Sequence, residues 1–109
     1  MNLDRKQIEQ LVISVAKTEI LPRFNDVKRH YKKDGSIVTE ADHIVQKKLL
    51  DAFKTLCPET VLLGEEMTAE QQQDLFDSGQ ALWCLDPVDG TSNFAAGVPY
   101  FSVSLALID

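Results

Sequence analysis

The spacing of apolar residues changes partway along the chain, and this change limits the fold more than any other feature of the sequence. Over residues 4–56, apolar side chains recur at intervals of three and four, the pattern of one face of an α-helix. From residue 61 onward they form short runs or alternate with small polar residues, the pattern of β-strands. The chain of 109 residues therefore fits one modest domain in which helices precede strands.

The amino-terminal half predicts two helices. The first has its apolar face at Ile8, Leu11, Val12, Val15, Ala16 and Ile20. Asp4 is a suitable cap for this helix, and Pro22 is expected to end or kink it because proline restricts the residue before it. The second helix is predicted to begin at Thr39-Glu40-Ala41-Asp42, which has the form of a capping box, and to end at Pro58.

The carboxyl-terminal half predicts three strands. They lie at residues 61–64, 81–85 and 101–107. Residues 69–77 predict a weak helix, and the last strand alternates in polarity, so that one of its faces should be more buried. The chain ends directly after this apolar strand, whose open edge would invite aggregation. We therefore expect residues 1–109 to form a domain that is incomplete at its carboxyl terminus, with the rest further along the protein or in a partner chain.

The charge of the chain restricts its partners. A net charge of −6 opposes binding to the phosphate backbone of a nucleic acid. The one basic run is Lys28-Arg29-His30 with Lys32-Lys33, and we interpret it as part of a solvated connection, residues 25–36, closed by a turn at Asp34-Gly35.

The cysteines and the apolar runs indicate the compartment. Cys57 and Cys84 lie far apart in the sequence, and we predict that both are reduced and packed. The sequence has neither the pattern of a signal peptide at its start nor an apolar run long enough to span a bilayer. We predict a cytoplasmic protein without a membrane or nucleic-acid partner.

The string Asp86-Pro87-Val88-Asp89-Gly90-Thr91 is the strongest functional signal. Two carboxylates three residues apart can point to one side of a turn, where they repel each other unless a cation lies between them. Such oxygens, with the carbonyl of Val88, suit Mg²⁺ or Mn²⁺. Gly90 would let a phosphate approach the main chain, where the amides of Gly90 and Thr91 could bind its oxygens. Taken alone, the same string is also a common tight turn between strands.

Two further acidic segments favour the metal interpretation. Glu65-Glu66 directly follows the strand at 61–64, so these carboxylates can meet the 86–91 string if the two strands are neighbours. Asp42 begins the second helix. On spacing alone, it could close the capping box or supply a carboxylate to the site.

Three sequence motifs that include these acidic residues resemble motifs of the inositol monophosphatase family. They are Val38-Thr39-Glu40-Ala41-Asp42, Leu63-Gly64-Glu65-Glu66 and Trp83-Cys84-Leu85-Asp86-Pro87-Val88-Asp89-Gly90-Thr91-Ser92-Asn93-Phe94. The resemblance covers nearly all of the chain, from the first helix to Ile108. It implies an α+β fold with helices layered on a largely antiparallel sheet, the αβαβα arrangement of fructose-1,6-bisphosphatase. Residues 1–109 would be its amino-terminal, metal-binding portion.

The resemblance also implies an activity. Members hydrolyse a small phosphate monoester with Mg²⁺ and without a phosphoenzyme, are lithium-sensitive and usually pair as homodimers. The sequence does not choose among inositol phosphates, sugar bisphosphates and nucleotide phosphates as the substrate. The residues that recognise the alcohol part of the substrate are expected mostly beyond residue 109.

The family's metal ligands can be carried over residue by residue. The resemblance implies that Glu65, Asp86 and the carbonyl of Val88 hold one Mg²⁺, and that Asp86 and Asp89 share a second. Two or three ions are expected, with Mn²⁺ as an alternative.

The resemblance assigns the chemical step to a water activated by the metal. Thr91, paired with Asp42, is implied to orient or deprotonate this water, and Glu65 counts as catalytic as well as a ligand. Asp89, Gly90 and Thr91 are implied to contact the phosphate. A lysine lies near the phosphate in relatives, but we interpret Lys32 and Lys33 as exposed loop residues, and the role of Glu66 stays open.

One departure from the family and two alternatives accompany this interpretation. The family completes its second metal site with an aspartate from a downstream Trp-Asp motif, which residues 1–109 lack, so activity of the isolated chain is in question. A phosphatase of the haloacid dehalogenase type would need Asp-x-Asp, whereas Asp86 and Asp89 have the spacing Asp-x-x-Asp. The other alternative is a non-catalytic interaction module that keeps the family's fold.

Overall fold

The computed structural model describes residues 4–24, 30–32, 37–99 and 101–108. Helix α1 spans Arg5–Val15 and continues as a π-helical turn, Ala16–Ile20, and a 3₁₀ turn, Leu21–Arg23. The Asp4 carboxylate accepts from the Gln7 N–H at 3.2 Å, which confirms the predicted cap. Helical geometry ends at Phe24, two residues after Pro22, as predicted, but the expected restriction at Leu21 is wrong, because its φ of −59° and ψ of −41° are helical.

A short antiparallel pair precedes the second helix. Strand β1, His30–Tyr31, lies within residues 25–36, which we predicted to be a plain connection, and it pairs with β2, Ile37–Val38, directly after them. The predicted turn at Asp34-Gly35, with Lys28, Arg29 and Lys33 of the basic run, lies outside the described residues.

Helix α2 spans Glu40–Leu56 and begins at the predicted capping box. Both the N–H and the hydroxyl of Thr39 donate to Asp42 Oδ2 at 2.8 Å. The helix ends at Cys57, one residue before Pro58. One face of α2 is buried against the sheet, at Ala41, Val45, Leu49 and Phe53.

A three-stranded sheet follows, in the order β3-β4-β5. Its strands are Thr60–Gly64, Ala81–Asp89 and Ser102–Ile108, with helix α3 at Ala69–Phe76 and helix α4 at Thr91–Ala96. Strand β4 runs parallel to β3 and antiparallel to β5, so the described part of the sheet is mixed. The parallel pair is permitted because α3 supplies the long crossover that parallel strands require.

Strand β4 is longer than predicted. The sequence suggested a turn at residues 86–90, but the strand continues to Asp89, with a shift in register against β5 between Asp86 and Asp89. Pro87 cannot donate to a neighbouring strand and is tolerated at such an irregularity. The turn is confined to Gly90, where φ is 90°, and leads into α4, which the sequence analysis did not predict.

The core lies between α2 and the sheet. The ring of Phe53 packs edge-on against Trp83 with centroids 5.3 Å apart, and Phe94 packs against Phe101 at 5.1 Å. Strand β5 alternates half-buried and exposed side chains, as its sequence predicted. Cys57 is buried, Cys84 is partly buried and both are free thiols, which confirms that prediction. Among the described helices, none is long and apolar enough to cross a membrane.

Candidate metal and phosphate site

An acidic cavity of about 300 Å³ lies at the end of strand β3, beside the last residues of β4 and the start of α4. Its lining residues are Lys32, Glu65, Glu66, Asp86, Val88, Asp89, Gly90, Thr91, Ser92 and Asn93. The structure therefore brings Glu65 and the 86–91 segment to one cavity, as their positions after two strands suggested.

The parallel pairing of β3 and β4 explains this proximity. Gly64 lies opposite Leu85, and the Glu65 N–H donates to the Leu85 carbonyl at 3.0 Å. Glu65 thus lies at the same level of the sheet as Asp86, and its side chain remains half-exposed to the cavity. A change of register by one residue would turn Glu65 to the other face.

The Asp86 carboxyl is partly buried and lies near three other acidic side chains. Burial, hydrogen bonding with the Glu65 carboxyl and the charges of Glu65, Asp89 and Asp42 raise the pKa of Asp86 to about 7. Asp86 Oδ1 is buried and has no hydrogen-bond partner among the residues that the structure describes. A buried acceptor without a partner is costly, and a hard cation beside it would remove both the repulsion and the missing contact.

The acidic side chains do not form a complete metal shell. Within the part of the chain that the structure describes, no three His, Cys, Asp or Glu side chains are arranged to hold a metal ion by themselves. The Val88 carbonyl lies in the same cavity as Glu65 and Asp86, and Mg²⁺ usually keeps several waters or phosphate oxygens in its shell. The oxygen donors present therefore fit Mg²⁺ or Mn²⁺ bound partly through water or phosphate.

Asp42 has two hydrogen-bonding roles in the structure, one at the predicted capping box and one with Thr91, which lines the cavity. Its Oδ2 atom accepts from Thr39 at the capping box, whereas Oδ1 lies 3.1 Å from Thr91 Oγ1. Thr91 Oγ1 also lies 2.9 Å from the Val88 carbonyl. Because the two roles use different oxygens, the helix cap fixes the carboxylate that faces Thr91.

Gly90 supports the other side of the cavity. Its positive φ is a conformation that favours glycine, and it places the first turn of α4 directly after β4. The first amides of a helix have no acceptor within that helix, so those of α4 are candidates to bind an anion in the cavity.

Lys32 and Glu66 form an ion pair that the sequence analysis missed. Lys32 Nζ lies 2.9 Å from Glu66 Oε2 and 4.0 Å from Glu65 Oε1. Burial acts to lower the pKa of Lys32, but Glu66, Glu65 and Asp42 together raise it above its usual value. The interpretation of Lys32 as an exposed loop residue is wrong, since its side chain is 27% exposed and lines the cavity. No local pattern could reveal a pair 34 residues apart in sequence.

Several known proteins are similar to this chain in sequence and fold. The model of the inositol monophosphatase family matches residues 4–109. The fructose-1,6-bisphosphatase/inositol-1-monophosphatase of Thermotoga maritima is 39% identical over 80 residues, which are 72% of this chain and 28% of that protein.

Two solved structures resemble the chain closely. A Thermotoga maritima IMPase aligns with a TM-score of 0.76 and 33% identity over 95% of this chain and 38% of that one. An IMPase/NADP phosphatase complexed with Mg²⁺ and phosphate aligns with a TM-score of 0.71 and 26% identity, over 94% of this chain and 40% of that one. The chain thus spans less than half the length of these relatives. The matches confirm the predicted fold class and the family resemblance.

Proposed function

The chain belongs to the inositol monophosphatase family, and its relatives include a fructose-1,6-bisphosphatase/inositol-1-monophosphatase; from this we propose that it forms the metal-binding part of an enzyme that hydrolyses a small phosphate monoester with Mg²⁺. The observation that carries the proposal is Asp86 Oδ1, a buried carboxyl oxygen beside Glu65 that has no hydrogen-bond partner within the described part of the chain. Residues 1–109 would be the amino-terminal portion of the domain, completed by further sequence.

The acidic cavity would hold the cation. Glu65, Asp86 and the Val88 carbonyl are the proposed ligands of one Mg²⁺, and Asp86 and Asp89 would share another. A third ion, or Mn²⁺ in place of Mg²⁺, is compatible with the same oxygens. When bound, the metal lowers the pKa of a coordinated water and neutralises charge on the phosphate.

Thr91 and Asp42 would orient and deprotonate the attacking water. Thr91 Oγ1 can donate its proton to Asp42 Oδ1 and accept one from a water in the cavity. The N–H and hydroxyl of Thr39 hold Asp42 in place through its other oxygen, Oδ2. The pair would thus orient the water and take up its proton as the oxygen attacks phosphorus.

The phosphate would lie against the start of α4. Asp89, Gly90 and Thr91 are the proposed contacts, with the first amides of the helix donating to phosphate oxygens. Lys32 would contribute little net attraction, because its charge is already paired with Glu66.

A phosphate-release assay tests the proposed function directly. We expect the full-length protein to release phosphate from an inositol monophosphate, a sugar bisphosphate or a nucleotide phosphate only when Mg²⁺ is present. Asp86→Asn should abolish this activity. Calorimetric titration with Mg²⁺, with Asp89→Asn as a control, separates binding from turnover. Wild-type protein that gives no Mg²⁺ signal would favour the non-catalytic module, and phosphate trapped on Asp86 would favour the haloacid dehalogenase mechanism.

Three further properties stay predictions, the first two implied by the family and the third by the sequence patterns described above. They are inhibition by lithium, pairing as a homodimer in the full-length protein and a cytoplasmic location. Each can be measured independently of the metal site.

A further inference from the structure

The turn that presents Glu65 is held by two glutamine side chains. It spans residues 64–67, and the Met67 N–H donates to the Gly64 carbonyl at 3.1 Å. Gln46, from α2, accepts from the Glu66 N–H at 3.0 Å. Gln72, from α3, lies on the carbonyl side of the turn, with its amide nitrogen 3.1 Å from the Gly64 carbonyl and 3.3 Å from that of Glu65.

Gly64 shows how closely Gln46 packs on this turn. A Cβ atom at position 64 would lie 2.2 Å from Gln46 Oε1 and 2.4 Å from its Cδ. The side chain of Gln46 therefore occupies the space above Gly64 that any other residue would need. Its contact with the Glu66 N–H depends on glycine at that position.

The two glutamines fix the main chain on both sides of Glu65 and do so through backbone groups, not through its carboxylate. Gln72 contacts the carbonyls before and at Glu65, whereas Gln46 contacts the amide after it. The Glu66 side chain is held separately by Lys32. Without these hydrogen bonds the main chain at Glu65 could shift and move the carboxylate away from Asp86, and binding an ion would then cost the entropy of ordering the turn.

We infer that Gln46 and Gln72 are positioning residues that set the Mg²⁺ affinity of the site by holding Glu65 beside Asp86. The inference rests on the proposed function, since it concerns the same cation. Groups that orient metal ligands typically change metal affinity or activity about 10- to 100-fold when they are removed.

Substitutions that keep size but remove hydrogen bonding test this inference. Gln72→Met should raise the Mg²⁺ concentration required for half-maximal phosphate release about tenfold, while kcat at saturating Mg²⁺ stays within about twofold. Gln73→Met is the matched control, because Gln73 lies on the same helix and its side-chain amide donates to Asp77, not to the turn. Calorimetry should likewise show weaker Mg²⁺ binding in Gln72→Met and unchanged binding in Gln73→Met.

Gln46 provides a second, independent arm. Gln46→Met should weaken Mg²⁺ binding, whereas Gln46→Glu should restore it, since a carboxylate oxygen still accepts from the Glu66 N–H. Gly64→Ala should weaken binding as Gln46→Ala does, and the double variant should be little worse than either, because the added methyl no longer meets Gln46.

The outcomes separate the two proposals. Wild-type protein without Mg²⁺ binding overturns the proposed function. Wild-type binding that Asp89→Asn weakens, together with unchanged affinity in Gln72→Met and Gln46→Met, overturns the positioning role alone. Should Gln72→Met unfold, as judged by circular dichroism, the comparison of Gln46→Met with Gln46→Glu decides the question.

Discussion

At the scale of single residues, Asp86 concentrates the electrostatics of the site. Its pKa is raised to about 7 by burial first and then by Glu65, Asp89 and Asp42. A carboxyl whose pKa is higher in the folded than in the unfolded chain favours folding below its unfolded pKa, and this contribution is lost as the pH rises through about 7. The metal-free protein should therefore lose stability from this group as the pH rises from about 4 to about 7, whereas a bound cation would favour the ionised form.

Mg²⁺ affinity should consequently depend on pH. Below about 7 the cation must displace a proton from Asp86, so the apparent affinity should fall by up to about tenfold per pH unit there and level off above it. Calorimetry in buffers of different ionisation enthalpy measures both the affinity and the released proton. Equal affinity at pH 6 and pH 8, without proton release, would contradict this expectation.

Thr91 should affect the chemical step more than metal binding. Thr91→Val keeps the shape of the side chain but removes the hydroxyl that joins Asp42 to the cavity. We expect kcat to fall about 10²- to 10⁴-fold, with Mg²⁺ affinity nearly unchanged, and Thr91→Ser to retain most of the rate. Steady-state kinetics of both variants provides the measurement, and an undiminished rate in Thr91→Val would remove Thr91 from the mechanism.

At the scale of elements, features that depend on neighbouring residues could be predicted from the sequence, and features that depend on long-range contacts could not. The capping box of α2 could be read from the sequence because Thr39 and Asp42 lie three residues apart and meet within one turn. The extension of β4 to Asp89 could not, because it depends on pairing with Ser102 and Ser104 of β5. Likewise, the contact of Lys32 with Glu66 joins segments that only the tertiary fold brings together.

Helix α2 should contribute stability separately from the site. Phe53→Ala removes the ring packed on Trp83 and should cost about 3–5 kcal/mol in the free energy of unfolding. Thr55→Ala, at an exposed position of the same helix, is the control. Denaturant titration measures both variants. A destabilisation below about 1 kcal/mol for Phe53→Ala would show that this face of α2 is not part of a packed core.

At the scale of the whole molecule, the fold positions acidic groups from three separate segments at one end of the sheet. Strand β3 supplies Glu65, β4 supplies Asp86 and α2 supplies Asp42, each from a backbone that is fixed by hydrogen bonds. The sequence predicted this convergence from strand ends and a helix start. The parallel pairing of β3 with β4, which determines how closely Glu65 approaches Asp86, depended on a crossover that the weak pattern of α3 did not specify.

Metal binding should therefore stabilise the entire fold. A ligand present at about 100 times its Kd adds about 2.7 kcal/mol to the free energy of unfolding. We expect Mg²⁺ to raise the Tm of the wild-type protein and a chelator to reverse the increase, with a smaller response in Asp89→Asn. Differential scanning calorimetry checks this, and an identical Tm with Mg²⁺ and with the chelator would argue against a site in the folded chain.

Direct location of the ion tests the central claim, that carboxylates from separate segments share one divalent cation. A crystal of the protein soaked in Mn²⁺ and measured for anomalous scattering would show where the metal binds. The account predicts a peak within coordination distance, about 2.1 Å for an ion of this class, of oxygens from both Glu65 and Asp86. A cavity without a peak at saturating Mn²⁺, or a peak bound by other residues alone, would contradict it.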